Sequence, residues 1–258
     1  MHRRGFIMIK VAVCGSCGKM GQEVVKAVVM DNSLELVAKI DLVCLGEGTY
    51  NSIQAALSEN QIDVLVDFTQ PSSIFENAKF CINNGIRPVI GTTGLSDEQV
   101  EELRQLSQEK NVSALIAPNF TTGAILMMKF AKEAAKFFDN AEIIELHHNQ
   151  KKDAPSGTAI KTAQLMAEAN DSLAKGNCEE VELVEGSRGG KSYADIQIHS
   201  VRMPGYIASQ EVIFGASGQV LTIRHDSMDR TCYMKGVVMA INHVMNHNEF
   251  VYGLDNIL

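Results

Sequence analysis

The sequence predicts an α/β fold, in which a Rossmann-like, doubly wound parallel sheet is joined to a second α+β domain with an open mixed sheet. Short apolar strand patterns alternate with helical patterns in the first half, and a glycine-rich turn connects the first strand to the first helix. After residue 119 this alternation stops, and several strand patterns follow one another. We therefore expect one domain at residues 1–119 and 228–258 and a second domain at residues 120–227.

The first predicted element is the strand IKVAVC at residues 9–14, which leads directly into a turn that contains Gly15, Gly18 and Gly21. The helical pattern MGQEVVKAVV follows. Such a turn lets the backbone approach a pyrophosphate group, which the N-terminus of the helix then holds. The glycine spacing is GxxGxxG rather than GxGxxG, so the prediction of dinucleotide binding also depends on the next strand.

The second strand pattern, LELVAKI, ends next to Asp41, which lies 20 residues after Gly21. This is the expected distance for the carboxylate that bonds the ribose 2′-hydroxyl of the cofactor. Leu42 follows Asp41, so the Arg that would pair with a 2′-phosphate is missing, and we expect NADH to be preferred. Lys19 and Lys39 leave the use of NADPH open.

Three more strand patterns, DVLVDF, RPVIG and SALIA, alternate with the helical patterns PSSIFENAKFCINNG and SDEQVEELRQLSQEK. Strands interleaved with helices form a parallel sheet, and ligands bind outside the carboxyl ends of those strands. The loops at these ends are 69–71, 91–94 and 118–121. Their small polar residues suit a cofactor, and they also suit ordinary turns.

The second half begins with the helical pattern TTGAILMMKFAKEAAKFF, the strand pattern AEIIELHH and the alanine-rich helical pattern TAIKTAQLMAEA. The strand patterns ADIQIHSVRM, SQEVIFGAS and QVLTIRHDS come next. Because short turns that contain glycine join these three strands, we expect them to pair antiparallel. A final helical pattern, MDRTCYMKGVVMAINHVM, returns to the first domain.

The segment from Glu145 to Ala159 holds the densest group of chemically active residues. His147 and His148 end a strand pattern, and Lys151 follows His147 by four residues. A histidine here is a candidate acid–base group, because neutral imidazole titrates closest to physiological pH. In a regular strand the two histidines point to opposite faces, so we expect one to be the catalyst and the other a substrate contact.

Ser156, Gly157 and Thr158 open the helical pattern that follows Pro155. The first N–H groups of a helix have no partner within the helix, so they can bind a carboxylate or a phosphate. The alternative interpretation of the whole segment is structural: a strand end, a polar loop and an ordinary serine cap.

Composition argues against several classes of protein. The chain has 258 residues, 45% of them hydrophobic, and a formal net charge of −8, so we expect neither a nucleic-acid surface nor an acidic-membrane surface. No apolar run approaches the roughly 18 residues that a membrane span needs. The basic start lacks the apolar region of a signal peptide, and we expect a cytoplasmic chain.

The six cysteines are scattered and lack the density of a disulfide framework. Cys14 and Cys17 form a CxxC pattern, which is typical of some redox and zinc sites. A second CxxC is missing from the sequence, and the glycine turn already explains this segment. We therefore expect neither a redox function nor a bound metal.

The chain resembles the 4-hydroxy-tetrahydrodipicolinate reductase (dihydrodipicolinate reductase) family of diaminopimelate and lysine biosynthesis. The resemblance covers essentially the whole chain, through VAVCGSCGKMG, VDFTQP, GTTG, APNF, ELHHNQKKDAPSGTA and VRMPGYIASQEVIFGASGQVLTIRHDSMDR. The motif HHxxKxDAPSGTA is the most specific. The resemblance implies a two-domain subunit, a homotetramer assembled through the mixed sheets, and reduction of a cyclic dicarboxylate with a C=N bond by NADH or NADPH.

The resemblance also implies roles for individual residues. His147 matches the catalytic acid–base and Lys151 the proton donor, and the substrate-binding positions are His148, Gly157 and Thr158. The positions that match cofactor contacts are Gly15, Ser16, Cys17, Gly18, Lys19, Met20, Asp41, Gly91, Thr92, Thr93, Ala117, Pro118, Asn119 and Phe120. Leu42 stands where family members that favour the phosphorylated cofactor have Arg.

Two rival functions remain open at this stage. A semialdehyde dehydrogenase with the same two-domain plan would need a thiol nucleophile in its substrate cleft, and no cysteine adjoins the two histidines in sequence. A non-catalytic nucleotide sensor that regulates DNA would need a basic recognition helix, which this acidic chain does not show.

Overall fold

Two separate β-sheets define the architecture of the chain. The computed structural model describes residues 8–44, 46, 48–173 and 181–258. The first seven residues of the predicted N-terminal extension and Cys178 lie outside this part. One compact unit ends at Thr122 and resumes from Arg230 to Leu258, and the other extends from Gly123 to Asp229.

The first unit contains a seven-stranded, fully parallel sheet with helices, which confirms the predicted Rossmann-like fold. Its strands are β1 (Ile9–Cys14), β2 (Leu34–Ile40), β3 (Thr49–Tyr50), β4 (Val64–Asp67), β5 (Arg87–Ile90), β6 (Ala114–Ile116) and β12 (Phe250–Tyr252). Its helices are α1 (Lys19–Met30), α2 (Ile53–Glu59), α3 (Pro71–Asn83), α4 (Asp97–Lys110) and α7 (Met234–Asn246). The strand order is β12-β6-β5-β4-β1-β2-β3.

The central strands of this sheet are apolar because helices cover both of their faces. All four residues of β4 are buried, and Val11, Ala12 and Val13 of β1 are fully buried. The chain reverses its direction of progress across the sheet beside β1, whose neighbours are β2 and β4. In parallel sheets such a switch point is where ligands bind, outside the carboxyl ends of the strands.

The second unit contains a five-stranded mixed sheet of order β11-β10-β7-β9-β8. Its elements are α5 (Thr122–Ala135), β7 (Asn140–His147), α6 (Gly157–Ala169), β8 (Gly190–Lys191), β9 (Gln197–Arg202), β10 (Ala208–Ala216) and β11 (Gln219–Ser227). The predicted antiparallel pairing of β10 with β11 is present, but that of β9 with β10 is wrong. Strand β7 lies between β9 and β10. It pairs antiparallel with β10 and parallel with β9.

One face of β7 packs against α6. Ala141 and Ile143 belong to the same buried cluster as Ala163 and Met166 of α6. Because alternate residues of a strand share a face, Glu145 also points to this side. The carboxyl end of β7 therefore meets the start of α6, which is where the predicted catalytic segment lies.

Candidate active site

A buried carboxylate, Glu145, connects the histidine strand to the start of α6. Its Oε2 accepts hydrogen bonds from His147 Nδ1 at 2.6 Å and from Arg202 Nη1 at 2.8 Å. Its Oε1 accepts from Arg202 Nη2 at 2.6 Å and from the backbone N of Ser156 at 3.1 Å. The side chain is 0% exposed, so Arg202 supplies the counter-charge that a buried carboxylate requires.

These contacts fix the protonation state of Glu145. Burial raises the pKa of its carboxyl group, but hydrogen bonds from Arg202, Ser200 and His147 together lower this pKa by more, so the net shift is downward. An ionised carboxylate only accepts hydrogen bonds, so the imidazole hydrogen of His147 lies on Nδ1. The Nε2 atom is then the ring nitrogen left for proton exchange with a ligand.

Several charges act on the imidazole of His147. Burial lowers its pKa, Glu145 raises it, and the positive charges of Lys151 and Arg202 lower it. The net shift is downward, so the ring is mainly uncharged at neutral pH. Lys151 and Arg202 therefore shift the protonation equilibrium of the His147 imidazole towards the neutral form.

Lys151 and His148 lie in the loop that follows β7. The strand ends at His147, so the predicted opposite orientation of two strand histidines does not extend to His148, which is exposed. The backbone N of Lys151 donates to the carbonyl of His148 at 3.2 Å, which turns the chain back. The Nζ atom of Lys151 bonds both oxygens of Asp153, at 2.8 and 2.7 Å.

The start of α6 has the geometry of an anion site. The Oγ atom of Ser156 accepts from the backbone N of Ala159 at 3.2 Å, and its carbonyl accepts from the backbone N of Ile160 at 3.0 Å. Gly157 and Thr158 precede both donors, so their N–H groups have no acceptor within the helix. Gly157 is exposed, and a Cβ added there would meet no atom within 4 Å.

A cavity of about 1020 Å³ lies in the first unit, at the carboxyl ends of β1, β2 and β4. It brings together Gly15, Cys17, Gly18 and Asp41, which the sequence predicts as cofactor contacts. Ser16 is buried, and Lys19 and Met20 lie in the first turn of α1. Leu42, which the sequence analysis places beside the 2′-position, also lines the cavity. Further lining residues, which sequence reasoning did not find, are Val43, Asn51, Ser52, Ile53, Gln54, Phe68, Ser72, Ser73, Glu76, Asn77, Lys79, Phe80 and Asn83.

The glycine turn is closely packed between the ends of the two strands that neighbour β1, which are β2 and β4. Gly15 has φ +76°, and a Cβ there would lie 2.8 Å from the carbonyl oxygen of Phe68. The backbone N atoms of Gly15 and Ser16 donate to the carbonyl of Ile40, at 2.9 and 3.2 Å. These bonds place the turn beside the end of β2, in the position that a dinucleotide-binding turn occupies.

Asp41 lies beside the glycine turn. Its Oδ2 accepts from the backbone N of Cys17 and its Oδ1 from that of Val43, both at 2.9 Å. Burial raises the pKa of this carboxyl group, but the N–H groups of Val43, Cys17, Cys44 and Leu42 lower it, and the net shift is downward. Asp41 is therefore an anion at neutral pH, and both of its oxygens can accept hydrogen bonds from hydroxyl groups.

Cys17 forms a disulfide with Cys44, which the sequence analysis did not expect. The CxxC pattern is not the bonded pair, because Cys14 is a free, buried residue at the end of β1. The sulfur atoms of Cys17 and Cys44 and one oxygen of Asp41 lie within 4.8 Å of one another.

The two other predicted cofactor segments, 91–93 and 117–120, follow β5 and β6 and are not among the lining residues of this cavity. The Thr92 hydroxyl donates to the carbonyl of Thr69, at 3.3 Å, and Thr69 does line the cavity. The ring of Phe68 would clash with a Cβ at Gly91 and packs against Phe120, with 5.8 Å between ring centroids.

Comparison with known proteins identifies the family. Models described as dihydrodipicolinate reductase, N-terminus and C-terminus, match residues 9–120 and 123–258. The chain belongs to the dihydrodipicolinate reductase family. It is 48% identical to a 4-hydroxy-tetrahydrodipicolinate reductase of Listeria innocua, over 97% of this chain and 100% of the relative. A relative of the same name from Streptococcus pneumoniae is 49% identical, with 97% and 99% covered.

A solved structure of the family gives the same overall result. It is a dipicolinate-bound dihydrodipicolinate reductase from Paenisporosarcina sp. TG-14, 45% identical to this chain, with a TM-score of 0.90. The alignment covers 98% of this chain and 100% of that structure. Family membership confirms the resemblance found in the sequence. It favours this resemblance over the two rival functions, the semialdehyde dehydrogenase and the nucleotide sensor.

Proposed function

We propose that this chain reduces 4-hydroxy-tetrahydrodipicolinate, with loss of water, to tetrahydrodipicolinate in diaminopimelate and lysine biosynthesis. It is an NAD(P)H-dependent oxidoreductase. The observation that carries the proposal is the site built on Glu145, which joins an oriented acid–base group, His147, to an anion-binding helix start. Full-length similarity to relatives with this name supports the same reaction.

The first unit binds the dinucleotide in this proposal. Gly15 supports the assignment because its backbone conformation and its contact with Phe68 leave no room for a side chain. Gly18 through Met20 hold the pyrophosphate and Asp41 the ribose, with segments 91–93 and 117–120 as further contacts. The bound cofactor supplies hydride. We further propose a preference for NADH, because the Asp41 carboxylate repels a 2′-phosphate and the exposed Leu42 offers no counter-charge.

The second unit binds the dicarboxylate. The N–H groups of Gly157 and Thr158 hold one carboxylate of the substrate, and His148 is a further contact. Lys151 donates the proton that completes reduction. Because Glu145 holds the Nδ1 atom of His147, the Nε2 atom faces the substrate. His147 exchanges a proton with the substrate through Nε2 and helps to orient it.

The proposal also includes an assembly and a location. The partly exposed face of the second sheet supports a homotetramer formed through that sheet. In the part of the chain that the structure describes, Cys14, Cys81 and Cys232 are free thiols, and they support a cytoplasmic location. Among the described residues, no helix is long and apolar enough to cross a membrane.

The test is oxidation of NADH in the presence of freshly generated 4-hydroxy-tetrahydrodipicolinate, followed through the absorbance of NADH. We expect a kcat on the order of 1–1000 s⁻¹. Binding of dipicolinate, measured by calorimetry, is the independent check on the substrate site. A protein that oxidises NADH only with an aldehyde substrate, or that fails to bind dipicolinate, would contradict the proposal.

A further inference from the structure

The disulfide between Cys17 and Cys44 joins the two loops that border the proposed ribose site. Cys17 lies in the glycine turn after β1, and Cys44 lies three residues after Asp41. Strands β1 and β2 are parallel neighbours, so the loops at their carboxyl ends meet at one edge of the sheet. The Cα atoms of the two cysteines are 6.4 Å apart, which is within the normal range of bridged cysteines.

The bridge lies against the carboxylate of Asp41. One Asp41 oxygen is within 4.8 Å of both sulfur atoms. The backbone N of Cys17 donates to Oδ2 of Asp41, and that of Val43 donates to Oδ1, so both loops are already drawn towards this carboxylate. Cys17, Asp41 and Val43 all line the cavity, so a ribose that bonds Asp41 lies against both loops, and a covalent link between the loops limits how far they can separate.

We propose that Cys17 and Cys44 are a reversible thiol–disulfide pair, and that formation of the disulfide weakens dinucleotide binding to the first unit. This inference rests on the proposed cofactor site. In the reduced protein residues 42–44 move away from the glycine turn and admit the adenosine ribose. In the oxidised protein the bridge holds these residues against Asp41.

The environment of the cysteines directs oxidation to this pair. Cys44 is exposed and Cys17 is half-buried, whereas Cys14 and Cys81 are buried. Burial raises the pKa of the Cys14 thiol and the pKa of the Cys81 thiol, so little thiolate forms at either residue near neutral pH. The exposed Cys44 is therefore the thiol that reacts first with an oxidant.

A low-molecular-weight disulfide is the oxidant in this scheme. The Cys44 thiolate attacks one sulfur of the oxidant, whose S–S bond breaks and releases one thiolate. The Cys17 thiolate then attacks the Cys44 sulfur, breaks the mixed disulfide and releases the second thiolate. The two protein thiols lose two protons and two electrons, and the oxidant becomes two thiols.

The test compares one protein preparation in two redox states. Full-length protein is reduced with dithiothreitol or oxidised with glutathione disulfide, and peptide mass spectrometry measures the Cys17–Cys44 cross-link. NADH affinity is then measured by calorimetry. We expect the Kd of NADH to rise about tenfold or more on oxidation and to recover on reduction.

Two variants make the test specific. In Cys44→Ser the ratio of the oxidised to the reduced Kd should fall to one. In the matched control Cys232→Ser, which removes a half-buried free thiol, the ratio should equal that of the unmodified chain. Equal Kd values in both redox states, absence of the cross-link, or a zinc ion that occupies the pair and resists the oxidant would each overturn the inference.

Failure of the proposed function gives a different result. If fully reduced protein does not bind NADH, the cofactor assignment itself is wrong, and the inference falls with it. If the reduced protein binds NADH and the cross-linked protein binds it equally well, only the inference is wrong.

Discussion

At the scale of single residues, two neighbouring charges act on His147 in opposite directions. Glu145 raises the pKa of the imidazole through its hydrogen bond and its charge, and Lys151 lowers this pKa through its charge. The fraction of protonated His147 at a given pH therefore depends on both residues. Replacing either one should shift that fraction in a direction that can be stated beforehand.

Glu145→Gln removes the negative charge and should lower the pKa of His147 further. Protonated His147 then disappears at a lower pH, and the loss of an oriented Nδ1 hydrogen should reduce kcat by about tenfold or more. NADH affinity should stay unchanged, because Glu145 lies in the second unit. The measurements are an NMR titration of His147 and steady-state kinetics across pH.

Glu142→Gln is the matched control, since Glu142 lies on the same strand and also contacts an Arg and a His. Its carboxylate accepts from His199 at 2.7 Å and pairs with Arg188, but it does not contact His147. The His147 titration should be unchanged in this variant. An equal loss of kcat in both variants would indicate a general effect on the sheet and count against a positioning role for Glu145.

Lys151→Met should have the opposite effect on the titration. Removing the positive charge raises the pKa of His147, so protonated His147 persists to higher pH than in the unmodified chain. The variant also loses the proposed proton donor, and kcat should fall by about 10²-fold. Lys152→Met, a change at the exposed neighbouring lysine, should leave kcat within about twofold. A Lys151→Met enzyme with normal single-turnover hydride transfer would require another proton donor.

At the scale of secondary structure, the start of α6 is predicted to bind a substrate carboxylate. Gly157→Pro removes one backbone donor, while position N1 of a helix tolerates proline, and Ser156 before it already has φ −66° and ψ 148°. The Kd of dipicolinate should rise about 10-fold or more, since hydrogen bonds to charged groups contribute about 1.5–3 kcal/mol.

Gly157→Ala is the matched control for this change, because it keeps the N–H group and adds a Cβ that meets no atom within 4 Å. Its dipicolinate affinity should be close to that of the unmodified chain. NADH affinity should be unaffected in both variants. Equal weakening by Pro and by Ala would show that the backbone donor at Gly157 does not hold the ligand.

The end of β2 is predicted to determine the choice of cofactor. NADH should give the higher kcat/KM, and Asp41→Asn should reduce the ratio of the two specificity constants by weakening the repulsion of a 2′-phosphate. The measurement is kcat/KM for both cofactors in both proteins. A preference for NADPH in the unmodified chain would point to Lys19 or Lys39 as the phosphate partner.

At the scale of the whole molecule, local patterns predicted the first sheet better than the second. Each strand and the helix after it form one contiguous unit, so apolar periodicity was sufficient for β1, β4 and β5. Short elements such as α2 and β12 were missed because they contain too few residues for a periodic signal. The order of the second sheet depends on pairing between distant segments, and β7 enters it far from β9 in sequence.

In the candidate site, too, local sequence patterns reveal neighbouring residues but not contacts between distant segments. His147, Lys151 and the start of α6 lie within one segment, so their sequence pattern was visible. Arg202 is 57 residues from Glu145, and no local pattern connects them. A charged residue at an inward position of the strand AEIIEL was the one available signal for Glu145, because a buried carboxylate needs a partner.

The two faces of the second sheet differ in how far their apolar residues are buried. Ile143 and Val212 are fully buried between the sheet and its helices, whereas Ile144 and Ile213 on the opposite face are only partly buried, and Val220 is 72% exposed. Partly exposed branched apolar residues on adjacent strands are typical of a surface that pairs with another chain. This face is the proposed contact of the homotetramer.

Ile213→Asp should therefore disrupt the assembly. A carboxylate buried in an apolar contact between chains loses its hydration without gaining a partner, so the complex should dissociate while the chain stays folded. Light scattering after size-exclusion chromatography should give about four times the chain mass of 28.2 kDa for the unmodified protein and a smaller mass for the variant. Val29→Asp is the matched control, because Val29 is 65% exposed on α1 in the first unit, and it should leave the mass unchanged. A monomeric unmodified protein, or an Ile213→Asp variant of unchanged mass, would contradict assembly through this face.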